Sequence, residues 1–110
     1  MIDTFMFTFV ILAVIAYSIY AYKAYKYSLK LYSEAQNLEN RITWVKVEYQ
    51  KLNQPCQNAL ALIKQANEEY ESALFLLEIN ELYKANKCIE LGRKLADNAL
   101  YFIFIARTPN

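Results

Sequence analysis

The sequence contains no histidine, one glycine, two prolines and two cysteines. Without histidine the chain lacks the usual general base, the Ser-His-Asp and Cys-His arrangements and most zinc-ligand sets. Its single glycine, Gly92, leaves no Gly-rich phosphate loop and no GxGxxG turn. Charge of either sign is nearly balanced, with 12 Lys and Arg against 11 Asp and Glu, for a net +1. That field is too weak to support nucleic-acid binding through a basic surface. Hydrophobic residues reach 56% and charged residues 21%, which excludes a disordered tail or a collagen-like chain.

The two cysteines fit no metal or redox spacing. In a helical hairpin turning near position 79, Cys56 falls opposite about residue 103 and Cys88 opposite about residue 71. No internal disulfide is expected, and both read as small hydrophobes in a reducing compartment. The densest acidic run comprises Glu68, Glu69, Glu71, Glu78 and Glu81. A di-iron helical bundle needs Glu-x-x-His, and no histidine supplies it. Lys64 and Glu68 make an ordinary i,i+4 pair, so this run reads as a solvated face. The expectation is a protein without catalytic residues, cofactor, metal or small-molecule substrate, and not an enzyme.

What the sequence does contain is a long apolar run. The 18 positions from Phe5 to Tyr22 carry no charge. As a helix they measure about 27 Å, close to the ~30 Å hydrocarbon core of a bilayer. Thr8 and Ser18 can return their hydroxyls to carbonyls one turn back. A cleaved signal peptide fits poorly, because Met1, Ile2 and Asp3 give no positive region and no small-x-small site follows. Lys23, Lys26 and Lys30 follow the run, with Tyr17, Tyr20, Tyr22, Tyr25 and Tyr27 crowded at the same junction. Tyrosine rings suit the headgroup layer and lysines snorkel beside them. The positive-inside rule places the N-terminus outside and the C-terminal bulk on the cytoplasmic side.

No glycine or proline interrupts the chain from Phe5 to Asn53, so the anchor is expected to run straight into a second helical stretch. There Leu31, Ala35, Leu38, Ile42, Val45, Tyr49 and Leu52 alternate spacings of four and three, the pattern of a helix packed along its length. Trp44 and Val47 fall off this seam, pointing to a second buried face against another helix or another chain. Asn53-Gln54-Pro55 predicts a tight turn, with Asn53 or Gln54 near the cap and Pro55 as the first helical residue.

Two further seams follow. Cys56, Ala59, Ile63, Ala66, Tyr70, Ala73 and Leu77 form the first; Leu82, Ala85, Ile89, Gly92, Ala96, Ala99, Ile103 and Ala106 form the second. Ala59, Ala66 and Ala73 recur every seven residues, as do Ala85, Gly92, Ala99 and Ala106. Small side chains in that register let helices approach toward the ~8 Å end of the packing range. A loop at Glu78-Ile79-Asn80, with Asn80 as N-cap, predicts an antiparallel hairpin; the alternative is one unbroken helix from Pro55 to Arg107. The terminal patch Leu100-Tyr101-Phe102-Ile103-Phe104-Ile105-Ala106 has no polar face. It reads as core packed against Leu52 and Leu60, or as a surface for a partner or lipid, with Tyr101, Phe102, Phe104 and Ile105 the contact candidates.

The expected fold is all-α. Residues 1–30 form a transmembrane anchor with its juxtamembrane segment, and residues 31–107 form a small three-helix bundle with helices at about 31–53, 55–78 and 80–106. The expected role is a structural or assembly subunit of a larger membrane complex, in contact with membrane lipid and other subunits, or with further copies of itself. A membrane-tethered adaptor that docks a soluble partner is the alternative, followed by a filament or coat subunit with an N-terminal apolar helix. Nucleic acid is not among the expected partners.

Overall fold

The computed structural model describes residues 2–107; Met1 and residues 108–110 lie outside the described residues. The described chain is all helical: α1 (Ile2–Gln50), α2 (Gln57–Glu78) and α3 (Leu82–Arg107). Helix α1 is continuous across 49 residues. At 1.5 Å per residue it is about 73 Å long, and it sets the long dimension of a molecule measuring 85 × 17 × 16 Å.

The α1 seam is buried as its spacing predicts. Leu31, Ala35, Leu38, Ile42 and Val45 are covered, and Tyr49 and Leu52 pack partly against the same core. Both seams of the hairpin are likewise buried from Ala59 to Leu77, where Tyr70 alone is half-buried, and from Ala85 to Ile103. Ala106 is exposed. The core divides into two clusters that fix the helix directions. Leu31 and Ala35 meet Ala73, Leu77, Ala85 and Ile89 in one. In the other, Leu38, Ile42 and Val45 meet Ala59, Ile63, Ala66, Ala96, Ala99 and Ile103. Helix α2 therefore runs antiparallel to both α1 and α3, and α1 and α3 run parallel.

Of the fifteen buried hydrophobic residues, seven are alanine. Each alanine methyl withdrawn from water contributes about 0.8 kcal/mol, against about 1.5–3 for a buried Leu or Ile. Leu31, Leu38, Ile42, Val45, Ile63, Leu77, Ile89 and Ile103 are thus the side chains on which stability chiefly rests. The alanines set how closely the helices approach. Gly92 is a point of close approach, since a Cβ placed there would lie 2.8 Å from Leu38 Cδ2 and 3.4 Å from Glu69 Cβ.

Both turns differ in detail from the sequence expectation. Helix α1 stops at Gln50, where Lys51 and Leu52 donate their amides to the carbonyls of Glu48 and Tyr49. Residues 51–56 then carry the chain across to α2, whose N-cap is Cys56 in an extended conformation. Pro55 precedes the cap and is not the first helical residue. Residues 53 and 54 form a bend ahead of Pro55, which disfavours helical geometry in the residue before it.

The second turn is a hairpin turn, and the unbroken helix from Pro55 to Arg107 does not form. Asn80 is not an N-cap. It adopts φ 61°, the left-handed conformation that closes a helix C-terminus. Its amide donates to the Leu77 carbonyl at 3.1 Å, and the Glu81 amide donates to the Leu76 carbonyl at 2.8 Å. These two bonds are the Schellman closure, and asparagine serves it because its side chain tolerates positive φ. Glu81 takes over as the N-cap of α3, its carbonyl accepting from Ala85 at 3.0 Å. Its carboxylate sits at the positive end of α3.

Candidate functional site

The stretch of α1 before Tyr17 stands clear of the hairpin. An 18-residue window of α1 meets the length and composition of a membrane span, and none of that window is buried within the chain. Phe5, Phe7, Phe9, Leu12 and Val14 are each at least half exposed. Thr8 donates its hydroxyl to the Thr4 carbonyl at 2.9 Å, so this polar group is satisfied inside the helix. Asp3 lies in the first turn, at the positive end of the helix.

Below the apolar run, Lys23, Lys26 and Lys30 are exposed, as are Tyr17, Tyr20, Tyr22, Tyr25 and Tyr27. The Lys26 ammonium lies 4.8 Å from the centre of the Tyr22 ring. The first buried residue of the helical packing is Leu31, one turn further on.

A second apolar surface lies at the other end, along the edge where α1 meets α3. Arg41 pairs with Asp97 at 2.7 Å, and Arg107 pairs with Glu48 at 2.7 Å. Trp44 lies three residues after Arg41 and four before Glu48, so it leaves α1 on the side that faces α3. On α3, Tyr101 and Phe104 fall between Asp97 and Arg107 on a row of four and three. The two ion pairs bracket these aromatic residues. Trp44 is 46% exposed, Tyr101 63% and Phe104 49%. The Arg107 guanidinium carbon lies 5.9 Å from the Phe104 ring centre. Val47 and Ile105 are also half exposed, further round each helix.

The structure thus divides the terminal patch. Leu100, Phe102 and Ile103 turn to the core, while Tyr101, Phe104 and Ile105 stay at the surface. Phe102 is half-buried against the chain's own packing, edge-on to Tyr101 at 5.9 Å. Leu52 joins that core, but Leu60 remains 45% exposed. The small-residue seam Ala59, Ala66, Ala73, Ala85, Gly92 and Ala99 is buried between helices of this chain.

The titratable groups that depart from ordinary behaviour serve the packing. Glu48 is held below the usual carboxylate range by the Arg107 hydrogen bond, then by Lys51. Tyr70 donates its hydroxyl to Glu39, and holding that proton against the carboxylate pushes the phenol up to about 12. Burial pushes the Cys88 thiol up, helped by Glu69 beside it. Cys56 and Cys88 are both free thiols. Among the described residues no cluster of three or more Cys, Asp or Glu is placed to hold a metal ion.

Sequence spacing located Trp44 and the terminal patch but not the ion pairs that frame them. Arg41 and Glu48 lie seven residues apart beside the α1 seam, a signal of a shared edge. Their partners depend on the α1–α3 register, which spacing within one helix does not contain. Comparison of the chain with protein-family models, curated proteins and solved structures gives no match.

Proposed function

We propose that this chain is a non-enzymatic, single-pass membrane protein that serves as a structural subunit of a larger membrane assembly. The observation that carries the reading is apolar surface left over once the helices have packed. One region is the exposed N-terminal half of α1, whose length matches a bilayer core. The other is the aromatic edge at Trp44 and Tyr101, with Val47, Phe104 and Ile105 around it. Large exposed apolar patches rimmed by polar residues mark interaction sites, and buried tryptophan and tyrosine with flanking arginine are the usual anchors of protein interfaces.

In this reading α1 crosses the bilayer with its N-terminus outside. Lys23, Lys26 and Lys30 hold the helical body on the cytoplasmic, positive-inside face. The body is then a rigid post that presents its aromatic edge to a neighbouring subunit or to another copy of the chain. The thin alanine core supports this, because a body of this size is marginally stable alone and gains from a partner.

The test is photocrosslinking in native membranes, with the reactive group placed at Trp44, at Tyr101 or at Lys64 on the outer face of α2. The proposal expects the same discrete adduct from Trp44 and Tyr101, retained through washing, and none from Lys64. Adducts that vanish on washing would favour the tethered adaptor. Equal labelling from all three positions would remove the case for an edge-specific interface.

A further inference from the structure

The geometry points to the α2–α3 turn as a second membrane contact, a foot that rests in the phospholipid headgroup layer of the bilayer crossed by α1. This rests on the transmembrane reading of α1. Because α1 is one uninterrupted helix from Ile2 to Gln50, it acts as a ruler for the depth of everything packed beside it. Asn80, in the left-handed turn, lines a cleft with Tyr17, Tyr20, Ala21, Ala24, Tyr25 and Ser28 of α1. The set straddles Tyr22, where the uncharged run ends; Ala24 and Ser28, the two of its α1 members that are partly covered, lie two and six residues past it, and Tyr17, Tyr20 and Ala21 lie just before it. At 1.5 Å per residue the turn sits about 3–9 Å beyond the hydrocarbon boundary. The headgroup region on each side of a bilayer is about 5–8 Å deep. The turn is therefore level with the headgroups.

Its surface chemistry suits that layer. Ile79 is 51% exposed at the tip and Tyr83 is 70% exposed in the first turn of α3. The Lys87 ammonium lies 5.4 Å from the Tyr83 ring centre, repeating the Lys26–Tyr22 arrangement on α1. Rings with adjacent lysine stems are the side chains that settle at a membrane surface. Glu78 and Glu81 flank the tip and offset Lys84 and Lys87, so the contact is made by apolar and aromatic groups and does not require anionic lipid. Two attachment points, the span and the turn, fix the tilt of the helical body and hence the direction in which its aromatic edge faces.

The experiment uses the full chain in phosphatidylcholine vesicles. Trp44→Phe removes the only tryptophan, and single reporters are then placed by Ile79→Trp or by Val14→Trp near the middle of the apolar run. Nitroxide quenchers are carried either on the lipid headgroup or at the end of the acyl chain. The expected result is that the Ile79→Trp emission is quenched several-fold more by the headgroup nitroxide, and Val14→Trp more by the acyl-chain one. If Val14→Trp is quenched from the acyl chain while Ile79→Trp responds to neither lipid, the span stands and the foot is overturned. If Val14→Trp is also unquenched, the span fails and the foot fails with it. Tyr83→Trp is a second reporter on an exposed position, to be read in the same way if Ile79→Trp does not fold.

Discussion

Replacing Gly92 by alanine sets two effects of known size against each other. In an open helix the change stabilises by about 1 kcal/mol, because glycine loses more backbone freedom on folding. Here the new methyl would sit 2.8 Å from Leu38 Cδ2, 3.5 Å from Leu38 Cδ1 and 3.4 Å from Glu69 Cβ. Leu38 is 1% exposed and has little room to swing aside. Forcing an extra methyl into such a core costs about 2 kcal/mol, so Gly92→Ala should destabilise by about 1 kcal/mol net. The sign should reverse once Leu38 is shortened. In a Leu38→Ala background, itself weakened by about 2–5 kcal/mol, adding Gly92→Ala should restore about 1 kcal/mol. The assay is urea unfolding of the four proteins in mild detergent, followed by circular dichroism and closed as a double-mutant cycle with a coupling of about 2 kcal/mol. A stabilising Gly92→Ala in the otherwise unchanged chain would refute the close approach of α3 to α1.

Other consequences follow from single contacts. Tyr70 should ionise near 12, giving a high-pH step in phenolate absorbance that Tyr70→Phe removes. Its folded pKa is raised, so its contribution is present below the ordinary value of about 10 and is lost as pH rises through about 12. Removing the hydrogen bond by Tyr70→Phe should cost about 1 kcal/mol in the same unfolding assay. Glu48 is displaced the other way, so its contribution is present above the ordinary carboxylate value and lost as pH falls through the depressed one. Arg107→Ala should flatten the acid limb of a pH series of melting temperatures, and an unchanged limb would show that the pair contributes nothing. Asn80→Gly should preserve or slightly raise stability, whereas Asn80→Val, in a left-handed position, should cost about 1–2 kcal/mol by the same measurement.

The periodic features of the fold were legible in the sequence because periodicity is a property of one helix at a time. The run Leu31-Ala35-Leu38-Ile42-Val45 named the buried face of α1, and the seven-residue recurrence of small residues marked the seams of α2 and α3. The turns were less legible. Asparagine is favoured both at an N-cap and in a left-handed C-terminal position, and only the Leu76 and Leu77 carbonyls needing donors decide which. Pro55 suits a first helical turn as well as the residues just before one, and its own preference does not decide between them. The Arg41–Asp97 and Glu48–Arg107 pairs depend on how two parallel helices slide past each other. The aromatic edge was half visible. An apolar heptamer with no polar face had to leave something exposed, but which of Tyr101, Phe102 and Phe104 turned inward followed from the docking of α3.

The measurement that tests the central claim most directly is the mass of the particle carrying this chain after gentle detergent extraction, with its co-purifying chains identified by mass spectrometry. A large particle of fixed stoichiometry, lost when Trp44 is replaced by aspartate while the chain stays folded in the membrane fraction, is the predicted result. A chain that leaves the membrane in high salt, or that extracts as a lone monomer with or without Trp44, would contradict it.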